Sequence, residues 1–182
     1  MAALTAVMAQ IAVPLEPVPF TFQVLAVVLA GYLLGPRYGA MAMLVYLLLG
    51  AVGVPVFANF GAGLGSLLGP SGGYLWSYPL AAAAAGLAAP AFAGSRRPIA
   101  LVWGAGAGTL ALVIIYAIGA FWLAVQANLP PGAAIAAGVA PFVVFDAVKV
   151  VFATVLAAAV APRIASTRLF AGPAAAGGSR VR

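Results

Sequence analysis

Ile99-Ala-Leu-Val-Trp-Gly104-Ala-Gly-Ala-Gly108-Thr-Leu-Ala-Leu-Val-Ile-Ile-Tyr-Ala-Ile-Gly-Ala-Phe-Trp-Leu-Ala-Val125 runs for 27 residues without a charge, a proline or a side-chain amide. A helix needs roughly 20 apolar residues to cross the hydrocarbon of a bilayer, so this stretch reads as a transmembrane span. Gly104 and Gly108, four apart, suit close contact with a neighbouring helix. The rest of the chain has the same character: 66% of its 182 residues are hydrophobic and 5% are charged. A soluble domain carries about 25% charged residues. The apolar material extends along almost the whole length, which argues against a soluble domain with a single anchor.

Proline, glycine and charge divide the sequence around that span. Gly94-Ser95-Arg96-Arg97-Pro98 precedes it, and before that Tyr74 to Ala93 is apolar enough for another span. Gly53 to Gly73 differs in kind, with Pro55, Pro70 and seven glycines in 21 residues. Its glycines forbid a stable helix, while its apolar content keeps it near the membrane. Such backbone is tolerated there only where protein buries it or it lines a cavity. It reads as a re-entrant or capping loop. Phe20 to Leu34 and Tyr38 to Val52 flank the helix stop Gly35-Pro36-Arg37, which predicts a hairpin of two spans. Met1 to Val13 is helical in character but short for a span, and lacks the basic start of a cleavable signal, so it is expected in the mature protein. Pro14-Leu15-Glu16-Pro17-Val18-Pro19 follows, which no helix can traverse. On the C-terminal side, Gln126 to Gly132 reads as a polar turn and Ala133 to Ala161 holds the last span, starting properly near Pro141.

The expected fold is therefore an all-α integral membrane protein of six transmembrane helices, with a long Gly-rich outer loop between the third and fourth. Residues 1–170 form the membrane domain, and 171–182 a disordered Ala/Gly-rich cytoplasmic tail. An even number of spans puts both termini on one side. Arg37, Arg96, Arg97, Arg163, Arg168, Arg180 and Arg182 all fall there, and the three opposite loops hold no lysine or arginine. The positive-inside rule places that arginine-bearing side in the cytoplasm.

Composition also excludes functions. With no histidine and no cysteine, the usual zinc ligands, thiol nucleophiles and Ser-His pairs are absent. The +6 net charge is not clustered with aromatic residues as in a nucleic-acid surface. Gly61-Ala-Gly63-Leu-Gly65 and Gly104-Ala-Gly106-Ala-Gly108 lack the Lys-Ser/Thr of a phosphate-binding loop and the strand–helix setting of a dinucleotide fold. Without an ATPase motif, the chain cannot drive transport by nucleotide hydrolysis alone.

One basic residue stands apart from the arginine pattern. Lys149 follows Asp146 by three positions in Phe142-Val-Val-Phe-Asp146-Ala-Val-Lys149-Val-Val-Phe152. That spacing puts both on one helix face, where they can pair. Charges within a span are costly and mark functional sites by default. The pair can be structural, each charge neutralising the other. It can equally be a site reached from outside, with Lys149 for an anionic group and Asp146 for N–H donors. Thr21, Gln23, Asn59 and Tyr74 are polar candidates to join it from the outer half, and Trp76 and Tyr78 could line a pocket. Glu16 reads as a solvated loop residue.

Several of these stretches resemble one family. Pro17-Val-Pro19-Phe-Thr21-Phe-Gln23, Leu29-Ala-Gly31-Tyr-Leu-Leu-Gly35-Pro36-Arg37-Tyr-Gly39-Ala40 and Tyr46-Leu-Leu-Leu-Gly50-Ala-Val-Gly53-Val-Pro55 look like its first loop, helix hairpin and outer loop. Gly69-Pro70-Ser-Gly72-Gly73-Tyr74 and Pro141-Phe142 with Asp146-Ala-Val-Lys149 continue the match. The chain resembles BioY, the biotin-binding S-component of energy-coupling factor (ECF) transporters, from about Ala2 to Val160. The resemblance implies capture of biotin from outside a bacterial plasma membrane, and partnership with a membrane-embedded coupling protein and a pair of ABC-type ATPases. No cofactor is implied beyond biotin as the transported ligand. By matching positions, Asp146 and Lys149 carry over as polar substrate contacts, with Asn59 and Tyr74 behind them. Ala2 and Ala6 would dock the coupling protein. From other classes, the residues also allow a self-sufficient secondary transporter with Asp146/Lys149 as a proton relay, or a ligand-free membrane assembly protein.

Overall fold

The structure, a computed structural model, describes residues 1–94 and 96–166, the side chains of residues 165 and 166 excepted. The 170/171 boundary and the tail expected from Ala171 lie outside the described residues. Helix α1 covers Ala2–Gln10 and leads into strand β1, Ala12–Val13. Pro14, Pro17 and Pro19 deny the chain helical hydrogen bonds, and after them β2, Phe20–Thr21, returns antiparallel to β1 with Ala12 opposite Thr21 and Val13 opposite Phe20. The sequence predicts no strand, and it starts the second span at Phe20. The helix begins only at Gln23, because Phe20 and Thr21 are held in this ribbon.

Helix α2, Gln23–Ala51, is interrupted at Gly35, whose φ of 78° and ψ of 177° no helix accommodates. Glycine alone adopts this backbone readily, and Pro36 then starts the second arm. The arms fold back on each other. In a straight helix Gly31 and Gly39 would lie about 12 Å apart along the axis, yet a Cβ on Gly39 would come within 3.0 Å of the Gly31 Cα. The hairpin read from Gly35-Pro36-Arg37 is thus formed.

The glycine-rich segment is more ordered than its composition suggests. It contains a 3-10 turn at Ala58–Phe60 and a short helix α3, Gly63–Leu68, despite Gly63 and Gly65 within it. Helix α4, Gly72–Gly86, and α5, Ala89–Gly94, divide the expected fourth span at Leu87–Ala88, just before Pro90. Helix α6 covers Arg97–Gln126, with Pro98 in its first turn, where a missing N–H is harmless. Helix α7, Pro131–Gly138, is separate from α8, Val143–Ser166, so the last long helix starts two residues after Pro141.

Among the described residues, four stretches are long and apolar enough to cross a bilayer: Gln23–Ala51, Gly72–Gly94, Arg97–Gln126 and Val143–Ile164. Helix α4 sits between α2 and α6, and α8 closes against both α2 and α6. Tyr32, Tyr46, Met43, Leu67, Ile115 and Leu123 fill the interior. The outer faces are apolar too: Val102, Phe121, Val144, Val148 and Val151 are each more than 60% exposed. A contiguous apolar exterior of this kind suits lipid and not water.

Candidate functional site

A cavity of about 270 Å³ opens between the β2 ribbon, the segment preceding α4, and helices α4, α6 and α8. Phe20, Val24, Phe57, Leu75, Ile115 and Phe142 supply apolar wall, and Asp146 is its charged residue. Every lining residue belongs to the end of the molecule away from the Gly35 reversal and the Arg96–Arg97 corner. This is the end where the lysine-free loops lie.

Asp146 and Lys149 pair as their spacing predicts, with Nζ 2.7 Å from Oδ1 and both side chains 6% exposed. Taking two charges out of water costs several kcal/mol each, and only further hydrogen bonds offset this. Those bonds are present. Tyr116 donates to the second carboxylate oxygen, Oδ2, at 2.6 Å. Lys149 donates to the backbone carbonyl of Thr21 at 2.6 Å, and the Phe20 ring lies 3.8 Å from the ammonium. An ammonium has three N–H groups, so two oxygens and an aromatic face account for its capacity. Lys149 is absent from the cavity wall, whereas Asp146 is part of it. The lysine is joined to Asp146 and to β2, both of which contribute to the wall.

The other candidates divide. Thr21 and Gln23 line the cavity and bond to each other, Thr21 Oγ1 donating to Gln23 Oε1 at 2.9 Å. The Gln23 amide then donates to the Tyr46 hydroxyl, which itself donates to the Val56 carbonyl at 3.0 Å. Tyr74 lines the cavity but commits its hydroxyl to the Gly138 carbonyl at 2.9 Å. Asn59 is not brought to the site: it is exposed, in left-handed backbone with φ of 54°, outside the cavity lining. Trp76 donates to the Leu67 carbonyl from a half-exposed position, while Tyr78 is buried in the wall. Glu16 is exposed, as read.

Sequence reasoning missed Tyr116 and Tyr46. Each is one hydroxyl in an apolar span, and nothing in its own helix distinguishes it from an interfacial aromatic. Only the distances to Asp146 and Gln23 reveal their parts.

The comparisons with known proteins bear on what the cavity holds. The model of the BioY family matches residues 1–166. The chain belongs to the BioY family. Among BioY relatives, the "Biotin transporter BioY" of Thermotoga maritima is 44% identical over 155 residues, covering 85% of this chain and 88% of its own. The "Probable biotin transporter BioY" of Pyrococcus horikoshii is 43% identical over the same shares. A solved structure, the crystal structure of the S-component for biotin from an ECF-type ABC transporter, is also similar. It superposes with a TM-score of 0.76 at 25% identity, covering 87% of this chain and 85% of that one. With its apolar helices and this kinship, the chain is a multi-pass membrane protein.

Proposed function

We propose that this chain is the biotin-binding S-component of an ECF transporter, capturing biotin from outside a bacterial plasma membrane for ATP-driven uptake. The observation that carries the reading is the cavity with Asp146 in its wall. It has room for one small ligand, mostly apolar sides for a thioether ring and aliphatic chain, and a carboxylate for the N–H groups of a ureido ring. The relatives' names and the similar S-component structure support the choice of biotin. ATP hydrolysis belongs to partners, a membrane-embedded coupling protein and a pair of ABC-type ATPases.

The six spans of this reading are α1, the two arms of α2, the α4–α5 stretch, α6 and α8. Support comes from the Gly35 reversal and from the separation of the arginines from the cavity. At nine residues, α1 is about 14 Å long, less than the roughly 30 Å of hydrocarbon. Ala2 and Ala6 on it are the proposed contacts for the coupling protein. Both termini are cytoplasmic in this arrangement, and the cavity faces outward.

A proton relay through Asp146 and Lys149 is less well supported, since the chain of bonds from Lys149 ends on the Thr21 backbone carbonyl, which does not titrate. The test is equilibrium binding of a panel of vitamins to the purified protein, followed by uptake in reconstituted vesicles. Selective biotin binding, with uptake that needs the ATPase partner, is expected. Uptake by the isolated chain that collapses with the proton gradient would contradict the reading.

A further inference from the structure

Between Arg37 and Arg96 the sequence holds no charged residue. Residues 57–69, which carry the 3-10 turn Ala58–Phe60 and helix α3, fall within that interval. The other two segments at the cavity end show polar side chains to their surroundings. Glu16 is exposed in one, and Gln126 and Asn128 in the other. Residues 57–69 have a single side-chain amide, Asn59, and expose Phe60, Leu64 and Leu68 by more than half each. Leu64 and Leu68, four apart, share the outer face of α3, while Leu67 is buried on the inner one. A helix that faces water carries polar residues on its outer side. Helix α3 is apolar on both.

This face continues into the apolar exterior of the molecule. Trp76 of α4 lies half-exposed against the end of α3, donating its indole N–H to the Leu67 carbonyl at 2.9 Å. Leu80, one turn further along α4, is 58% exposed. The backbone of the segment points the same way. Irregular backbone in water can leave its N–H and C=O groups to the solvent, and in hydrocarbon it cannot. Here side chains from other elements take them up. Gln10 donates to the Phe57 carbonyl at 3.0 Å and accepts from the Phe60 N–H at 2.9 Å. At the C-terminal end of α3 the helix itself supplies no donor. Trp76 serves the Leu67 carbonyl there, and Trp122 of α6 serves the Gly69 carbonyl at 2.9 Å. Ser66 turns its hydroxyl inward to the Ala62 carbonyl at 3.2 Å.

We propose that residues 57–69 form a cap seated in the leaflet at the cavity end, with Phe60, Leu64 and Leu68 against lipid acyl chains. Ala58, Gly65, Ser66 and Gly69 of the same segment line the cavity. A single layer of peptide therefore separates the cavity from lipid on this side. The seating does not depend on which ligand the cavity takes.

The chain has no cysteine, so one introduced thiol reports one position. Leu64→Cys and Leu68→Cys are each spin-labelled and reconstituted in phosphatidylcholine vesicles. Leu80→Cys on the outer face of α4 and Glu16→Cys in the exposed loop serve as references. Power saturation measures collisions with oxygen, which partitions into lipid, and with a nickel chelate, which stays in water. Leu64 and Leu68 are both exposed, so a label at either displaces no packed neighbour, and each variant decides independently. The oxygen-to-nickel ratio at both is expected several-fold above that at position 16 and close to that at position 80. A ratio at the level of position 16 for either would place the cap in water and overturn the proposal. Spin–spin broadening that disappears on dilution with unlabelled protein would put a second copy on this face, and would overturn it equally.

Discussion

Lys149 donates from Nζ to the backbone carbonyl oxygen of Thr21 at 2.6 Å, joining α8 to β2 across 128 positions of sequence. The same ammonium holds Asp146 Oδ1. One lysine therefore fixes both the carboxylate in the cavity wall and the strand that forms its side.

Removing one partner of a buried pair leaves an uncompensated charge, at about 3–5 kcal/mol. Lys149→Met should lower the unfolding temperature in detergent well below that of wild type. The double variant Asp146→Asn/Lys149→Met should recover much of the loss, because no net charge stays buried. A single variant as stable as wild type would show that the pair is not buried as described.

Tyr116 holds the second oxygen of Asp146. A hydrogen bond to a charged group contributes about 1.5–3 kcal/mol, so Tyr116→Phe frees the carboxylate to turn. Biotin binding measured by calorimetry should weaken tenfold or more while the variant elutes as wild type does. Unchanged affinity would mean that Lys149 alone orients Asp146.

Gln10, at the end of α1, donates to the Phe57 carbonyl at 3.0 Å and accepts from the Phe60 N–H at 2.9 Å. It brackets the turn in which Asn59 and Phe60 take positive φ, and Phe57 and Ala58 line the cavity. Gln10→Ala should release bound biotin faster in a chase experiment. A dissociation rate equal to that of wild type would show that the turn holds without the clamp.

Much of this architecture was legible in the sequence. The Gly35-Pro36-Arg37 reversal and the Asp146/Lys149 pairing are local facts of chain chemistry, carried by a positive φ, a proline and a three-residue helical spacing. The ribbon of β1 and β2 was not legible, since two residues per strand leave no alternation to read. Helix α3 was hidden because glycine content predicts a loop, and burial of Leu67 outweighs that preference. At the site, Asp146 and Gln23 stood out as polar groups in apolar helices and do line the cavity. Asn59 stood out equally and lies exposed. A residue type shows that a side chain can hydrogen-bond; only the packing of α4, α6 and α8 decides which of them share a cavity.

Gly86 tests the folded-back hairpin. A Cβ there would collide with the backbone of Gly35 and Pro36, whereas one on Gly106 would meet nothing within 4 Å. Gly86→Val should therefore destabilise by about 1–3 kcal/mol, as overpacking does, and Gly106→Val far less. Equal unfolding temperatures for the two would place α4 away from the reversal.

The most direct test of the central claim is equilibrium binding of labelled biotin to the purified wild-type chain and to Asp146→Asn. Saturable binding by wild type is expected, weakened between ten- and roughly a hundredfold in the variant, the range for losing a charge-assisted hydrogen bond. No saturable binding by the wild-type protein, or equal affinity in both, would contradict the account.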